Sequence, residues 1–241
     1  VINDIFILGE KTEKYKEAIK ENIKSKKNGP FVKSLVAQDQ EIIKKLYSGL
    51  GFNFLEIKSK VESFPKKRVN LYFDINKGEK TKITKINFKG DRKIRDRRLR
   101  DVITSQESKF WKIITRNTNL NQSNINLDKR LLTNYYKSIG YYDVKVLSEI
   151  VELKEKFQAE ITFNIDAGTR YKISKITTNV DSVLDKRLFL PLNKVYKEVV
   201  GNYYSPFTIK KLLDELDLII NSEDLQFIEH NVNEVVNNDN I

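Results

Sequence analysis

The feature that most constrains this chain is an internal repeat with a spacing of about ninety residues. Self-similarity at a fixed spacing predicts tandem copies of one structural unit. Two blocks of residues recur in the same order. The first block is Ile75, Gly78, Lys82, Ile83, Lys85 and Ile86, repeated as Ile165, Gly168, Lys172, Ile173, Lys175 and Ile176. The second block is Ile43, Leu46, Tyr47, Leu50, Gly51 and Phe52, echoed by Leu132, Tyr135, Tyr136, Ile139, Gly140 and Tyr141. We therefore expect tandem domains rather than one large domain.

Hydrophobic periodicity predicts the same order of elements in the first two copies. In the second copy, residues 83–88 form a short apolar strand, and residues 91–104 and 127–139 carry apolar residues at helical spacing. Residues 144–150 and 159–165 then alternate apolar and polar residues, as strands with one buried face do. The first copy has matching patterns, namely Ile5 and Ile7, 13–23, 43–50, 55–61 and 69–75. Each unit is predicted to be an α+β domain of the order β-α-α-β-β.

The third copy is predicted to be incomplete. It begins at Tyr171 and reaches a helical pattern over 206–222, but Val180 replaces the glycine that ends the first strand as Gly9 or Gly90 in the other copies. A candidate second strand covers 227–236, and no final strand follows. The expected domains are residues 1–79, 80–168 and a partial domain over 169–241.

Composition excludes many kinds of catalytic site. The chain has no Cys and one His, His230, so it offers neither a Cys-based zinc site nor a thiol nucleophile. No phosphate-binding, dinucleotide-binding or nucleophile-elbow motif is present. We predict no enzyme activity, no catalytic residue, no metal and no cofactor, and assign His230 no function. The absence of Cys fits an oxidising compartment and compositional drift equally well. The longest strongly apolar run extends only from about Ile5 to Leu8, so no transmembrane helix is expected.

The repeat units resemble POTRA domains. The resemblance is carried by YYKSIGYYDVKV at 135–146, by FNIDAGTRYKISKI at 163–176 and by the segment 109–144. It implies three-stranded mixed sheets, each packed against two helices, in an elongated arm. It also implies a location in the bacterial periplasm, on a protein whose membrane barrel lies beyond Ile241. The implied partners are accessory lipoproteins and unfolded outer-membrane β-barrel proteins. The implied function is to scaffold these proteins and guide barrel assembly; a POTRA region of another outer-membrane transporter is the alternative.

In POTRA domains the second strand is an exposed sheet edge that can accept an added strand. The resemblance therefore assigns partner binding to two segments, of which the more apolar second one is preferred. The predicted binding residues are Tyr142, Val144, Lys145, Val146, Leu147, Glu149 and Ile150 in the second copy, and Leu55, Ile57, Lys58 and Val61 in the first. Gly78 and Gly168 are the predicted interdomain hinges.

Other interpretations remain open beside these. Outward lysines such as Lys58 and Lys60 also protect an edge strand from pairing. Trp111 is expected to pack in its own domain rather than contact a partner. The net charge of +11 and the arginines over 92–100 suit an anionic membrane surface. They also suit nucleic acid, but Asp96 and Asp101 interrupt the basic run and no base-reading motif accompanies it. We therefore predict no nucleic-acid partner.

Overall fold

The computed structural model describes residues 1–90, 93–109, 117–223, 225, 228–237 and 241. The side chains of Ser148 and Ile150 also lie outside the described part. The predicted helix start at 91–92, Trp111 and Phe227 therefore lie outside the described residues. The chain divides into two compact units: one contains residues 1–87, 103–128 and 149–162, the other residues 88–102, 129–148 and 163–241.

The first repeat folds in the predicted order. Strand β1 (Ile2–Leu8) is followed by helices α1 (Glu13–Asn22) and α2 (Lys33–Gly49), and then by strands β2 (Glu56–Phe64) and β3 (Arg68–Asn76). The sheet order is β1-β3-β2, with β1 parallel and β2 antiparallel to β3. The last strand in sequence is thus the central strand, and β2 lies at an edge.

The alternation along β3 explains why this strand is central. Leu71 and Phe73 are fully buried and Ile75 is 3% exposed. They pack with Ile5 and Ile7 of β1 and with apolar residues of both helices in one core. The transfer of each such side chain from water contributes about 1.5–3 kcal/mol. A strand with one fully apolar face is therefore held between two neighbours and beneath the helices.

A buried carboxylate fixes the connection between the two helices of each complete repeat. Asp39 of α2 accepts hydrogen bonds from the backbone N–H groups of Lys24, at 2.6 Å, and Ser25, at 3.1 Å. In the second repeat, Asp128 accepts from the N–H groups of Thr104 and Ser105. Both aspartates are fully buried. Each satisfies backbone donors that would otherwise be buried without partners.

The second repeat has the same elements. They are β4 (Lys82–Gly90), α3 (Asp96–Val102), α4 (Gln122–Ser138), β5 (Lys145–Lys154) and β6 (Gln158–Asp166). The sheet order is β4-β6-β5, so the last strand is again central and β5 is an edge. The predicted α+β class with tandem three-stranded mixed sheets is confirmed.

The third copy departs from this pattern. Its second helix, α6 (Pro206–Ser222), has the predicted bounds, and the sequence did not reveal α5 (Leu192–Val199) or the 3₁₀ turn before it, Lys186–Phe189. The expected first strand is reduced to one isolated bridge between Lys172 and Tyr203. Residues 228–236 form no strand, so the strand predicted there is absent from the described part. No partner strand within the described residues lies between the two segments to hold them in a sheet.

Candidate partner-binding edges and repeat junctions

The first candidate site is the outer edge of β2. The strand pairs with β3 from Glu56 opposite Asn76 to Phe64 opposite Arg68, and no strand among the described residues pairs with its other side. Lys58 is exposed, and Ile57 and Leu55 are half-buried. Val61 is 39% exposed although it lies opposite the buried Leu71.

The second candidate site is the outer edge of β5. Leu147 is 57% exposed, with the exposed Lys145 and the half-buried Glu149 beside it on the same face. Val146 is half-buried, and the side chain of Ile150 lies outside the described part. This edge therefore presents a large apolar side chain where β2 presents lysines.

Two of the predicted binding residues lie before β5 rather than in it. Val144 is buried. Tyr142 is half-buried, and its ring contacts those of Tyr171 and Tyr204 edge-on, with centroids 5.9 and 4.9 Å away. Tyr142 therefore belongs to the connection with the third copy, and Val144 is not part of the exposed edge.

The first repeat joins the second through a short backbone network. The N–H of Thr81 donates to the carbonyl of Gly51 at 2.8 Å, and the N–H of Leu120 donates to the carbonyl of Thr81, also at 2.8 Å. The Asn121 side chain donates to the carbonyl of Gly49 at 2.6 Å. We call this network, together with the side chains around Thr81, the first junction.

Small polar side chains fill the first junction. Thr81 is fully buried, and its hydroxyl oxygen accepts from the N–H of Asn53 at 3.2 Å. One aromatic contact accompanies this bond, between Phe54 and Phe157, whose ring centroids are 5.5 Å apart. The junction therefore depends more on hydrogen bonds than on apolar contact.

An ion pair connects the linker of this junction to the core of the first repeat. The buried Glu10 carboxylate lies 3.3 Å from the ammonium of Lys77 and accepts from the Tyr47 hydroxyl at 2.5 Å. Burial alone would raise the pKa of Glu10, but hydrogen bonds from Tyr47, the Thr12 N–H and Lys77 outweigh it and lower the pKa to about 2. Burial and the same bond raise the pKa of Tyr47. Glu10 is thus held as a carboxylate at neutral pH.

The second junction, between the second and third copies, has the same backbone pattern. The N–H of Tyr171 donates to the carbonyl of Gly140 at 2.8 Å, and the N–H of Tyr204 donates to the carbonyl of Tyr171 at 2.9 Å. Gly140 corresponds to Gly51 in the repeat. The backbone connection is therefore a repeated feature.

Aromatic side chains fill the second junction. The Tyr171 hydroxyl donates to Asp143 at 2.5 Å, and the Tyr204 hydroxyl donates to Glu234 at 3.1 Å. The guanidinium of Arg170 lies 3.5 Å from the ring centroid of Tyr203, in cation–π geometry. Its Nε donates to the carbonyl of residue 139 at 2.8 Å. Burial and the Glu234 carboxylate raise the pKa of Tyr204.

The two predicted hinge glycines have similar backbones and different surroundings. Gly78 has φ +58° and Gly168 has φ +65°, a region that glycine adopts with little strain. A Cβ atom on Gly78 would lie 2.6 Å from the ring of Phe157. On Gly168 the nearest atom would be Asp143 Cβ, at 3.8 Å.

Sequence reasoning identified the edge segments and linker glycines but missed the junction side chains. A signal was present, because Tyr171 and Thr81 occupy one repeat position, as do Arg170 and Lys80. Their partners Tyr203 and Tyr204 belong to the weak third copy and occupy the places of Asn119 and Leu120, which they do not resemble in residue type.

Tandem units of the order β-α-α-β-β define a class of repeat protein, and comparison with known families identifies the same class. The sequence model of the POTRA family, described as "Surface antigen variable number repeat", matches residues 1–78 and 81–168. The chain belongs to the POTRA family. The resemblance inferred from the sequence is confirmed.

Several curated relatives share one name. The chain is 25% identical over 225 residues, or 92% of its length, to "Outer membrane protein assembly factor BamA" of Neisseria meningitidis serogroup B. It is 26% identical over 186 residues, or 74% of its length, to the protein of that name from Buchnera aphidicola. In each case it spans 28% of the relative's length. Among solved structures, Haemophilus influenzae BamA POTRA3-5 aligns over 99% of this chain and 92% of that one, with 15% identity and a TM-score of 0.48. No helix in the described part of the chain is long and apolar enough to cross a membrane.

Proposed function

We propose that this chain is part of the periplasmic POTRA arm of an outer-membrane β-barrel assembly factor. In this proposal the arm is non-enzymatic, binds accessory lipoproteins and guides unfolded outer-membrane proteins by adding their strands to its sheet edges. The family membership and the name of the curated relatives support the general role. The edge position of β5 supports the mechanism.

The observation that carries the mechanism is the exposed Leu147 on an edge strand. An edge offers backbone N–H and C=O groups to an incoming strand whatever its sequence, and apolar side chains on the edge add contact area. Leu147 is 57% exposed, whereas the corresponding face of β2 carries Lys58 and Lys60. Lysines on an edge disfavour pairing. We therefore assign the binding function first to β5.

Photocrosslinking in cells tests the mechanism. A photoreactive amino acid replaces Leu147 in the natural full-length protein, with matched probes at Lys60 on the β2 edge and at Val183, which is 85% exposed outside both sheets. We expect adducts with an outer-membrane lipoprotein or an unfolded barrel protein at position 147 at several times the yield at 60 and 183. Equal yields at the three positions would reject β5 as the preferred edge.

A second measurement tests the location. Outer membranes are isolated, and the full-length protein is detected with an antibody against this chain after electrophoresis with and without boiling. A large band whose mobility changes on boiling is expected from a protein with a folded barrel. A soluble band near the 28.3 kDa of this chain would contradict the proposal.

A further inference from the structure

The outer face of the first repeat's sheet carries an exposed apolar patch. Both helices pack on the inner face, in the core around Leu71 and Phe73. Successive side chains of a strand alternate between the two faces, so Phe6 and Leu8 of β1 and Tyr72 of β3 project from the outer one. Phe6 is 39% exposed and Leu8 is 46% exposed. We call Phe6, Leu8 and Tyr72 the outer patch.

The two aromatic rings of the outer patch are held in a fixed arrangement. Phe6 and Tyr72 lie side by side on neighbouring parallel strands, and their rings stack with centroids 4.9 Å apart and planes inclined by 16°. The Tyr72 hydroxyl donates to the Glu62 carboxylate at 2.7 Å. A partner therefore meets an apolar surface that is already ordered, which lowers the entropic cost of binding.

The fold does not require apolar residues at these positions. Gly9 and Gly90 end the first strands of the two complete copies, so the β1 residues of the patch correspond to Asn87 and Lys89. The ninety-residue spacing of the last strands matches the third patch residue to Thr162. The second repeat forms the same three-stranded sheet with these polar residues. An exposed apolar cluster that the fold does not need is typical of a binding surface.

The position of the outer patch determines what kind of segment it binds. Strand β3 pairs with β1 on one side and with β2 on the other, so its backbone groups are already used. The face therefore offers side chains only, unlike the β5 edge, where Leu147 lies on a strand with one side unpaired among the described residues. A partner on the face must satisfy its own backbone hydrogen bonds, as a helix does and an isolated strand does not.

The dimensions of the outer patch match one apolar stripe of a helix. Residues two apart on a strand, here Phe6 and Leu8, are separated by about 7 Å, and the strand that carries Tyr72 is about 5 Å away. The Cβ atoms of helix residues four apart are separated by about 6 Å. Two apolar side chains one helical turn apart therefore reach all three patch residues.

Two lysines lie on the β2 side of the outer patch. Lys60 is opposite Tyr72, and Lys58 is opposite Asp74. Neither ammonium group has an ion-pair partner among the described residues. The Glu62 carboxylate accepts from the Tyr72 hydroxyl instead. The two lysines therefore favour a partner with carboxylates on that side, and they also disfavour the pairing of a strand with β2.

We propose that the outer patch, together with Lys58 and Lys60, is a docking surface for an amphipathic helix of a partner protein. The apolar stripe of the helix packs on Phe6, Leu8 and Tyr72, and carboxylates along one margin of the stripe face the two lysines. Binding is through side chains and leaves the sheet edges unused. The inference does not rest on strand addition at β5, so either proposal can fail without the other.

Three fluorescent peptides of about 18 residues test the kind of partner, because shorter helices are marginal in water. The first has Leu at helical spacing and Glu along one margin of the Leu stripe. The second has Lys in place of Glu, and the third has two Pro residues in its interior, which prevent helix formation. We expect the 241-residue chain to bind the first peptide about tenfold more tightly than the other two, as measured by fluorescence anisotropy. Equal affinity for any two that include the first, or no binding of the first, would overturn the proposal.

A triple variant locates the binding surface. Phe6→Asn, Leu8→Lys and Tyr72→Thr together give the first repeat the outward residues of the second, which folds with them. We expect this variant to bind the Glu peptide about tenfold more weakly, with folding checked by circular dichroism. The control, Leu147→Lys on the β5 edge, should leave the affinity unchanged. An equal loss from both variants, or no loss from the triple variant, would contradict the assignment.

A charge reversal tests the orientation of the helix and leaves the outer patch intact. Lys58→Glu with Lys60→Glu alters two exposed side chains. We expect the double variant to prefer the Lys peptide over the Glu peptide, the reverse of the unaltered chain. An unchanged preference would show that the carboxylates of the helix do not face these lysines, and would overturn the proposal.

Photocrosslinking in cells identifies the natural occupant. A photoreactive amino acid replaces Leu8 in the natural full-length protein, and the matched probe replaces its exposed counterpart Lys89. We expect several times more adduct at position 8, on a partner segment that mass spectrometry shows to have apolar residues at helical spacing and carboxylates on one side. Equal yields at the two positions, or adducts only with a second copy of this chain or with an unfolded barrel protein, would overturn the proposal.

Discussion

The two repeat junctions share one backbone design and differ in how it is filled. In both, a carbonyl at a helix-ending glycine accepts from the first residue of the next repeat, at 2.8 Å. The first junction is filled by Thr81 and Asn53, the second by Tyr171, Tyr204 and Arg170. Backbone hydrogen bonds position the neighbouring repeats, and the side chains determine how strongly each position is held. We expect the second junction to open less readily than the first.

The largest expected difference comes from truncation of the first residue of each new repeat. Tyr171→Ala removes a buried ring and should lower the local free energy of opening by about 3 kcal/mol, whereas Thr81→Ala removes one accepted hydrogen bond and should lower it by about 1 kcal/mol. Native-state hydrogen exchange measures the effect at the amides of residues 204 and 120, which donate to residues 171 and 81. Equal losses would show that the ring contributes nothing beyond the backbone.

The ion pair beside the first junction gives a pH-dependent effect. Because the folded pKa of Glu10 is about 2 and its ordinary value is 4.5, its stabilisation is present above pH 4.5 and is lost as the pH falls toward 2. Glu10→Gln should therefore destabilise the first repeat by about 2 kcal/mol at pH 7 and by much less at pH 2.5. Urea unfolding at both pH values measures this. Glu13→Gln, on an exposed carboxylate, is the control; a Glu10→Gln effect that is independent of pH would contradict the assignment.

The linker glycines should respond unequally to alanine. Both substitutions force a positive φ on a side chain, which costs about 1 kcal/mol. Gly78→Ala also meets the Phe157 ring at 2.6 Å, so a total of about 2 kcal/mol is expected there. Exchange of the amides of residues 81 and 171 reports the two junctions. A larger effect of Gly168→Ala would mean that the second linker is the more constrained one.

We expect the smallest loss of stability from substitution of the cationic residue that precedes Thr81 or Tyr171 in the sequence. Arg170→Ala removes a cation–π contact and a hydrogen bond, so a loss of about 1 kcal/mol is expected. Lys80 lies 5.7 Å from the Phe52 centroid, and Lys80→Ala should cost under about 0.5 kcal/mol. Amide exchange at the same two reporters measures both. A larger effect for Lys80→Ala would reverse the comparison.

Much of the fold was predictable from sequence because the repeat and the hydrophobic period are local properties. The alternation of Leu71, Phe73 and Ile75 predicts a strand with one buried face, and the structure places that strand at the centre of its sheet. The bounds of α6 were also predicted, since its apolar stripe needs no knowledge of its neighbours. The prediction of a strand over 227–236 was wrong for the described residues, because strand pairing is not a local property. A strand needs a partner for its backbone, and no period in its own sequence supplies one.

The sequence by itself determined the order of elements in the first two copies and the family to which the chain belongs. Only the tertiary structure decided that Tyr142 and Val144 lie outside the β5 edge, and that Tyr171, Tyr204 and Arg170 meet at one junction. It alone showed that the backbone of Ile241 is hydrogen-bonded to Lys172 and Ser174, far from it in the sequence. Periodicity reports which face of an element avoids water. Which elements then meet depends on long-range packing and backbone pairing, which a local pattern does not contain.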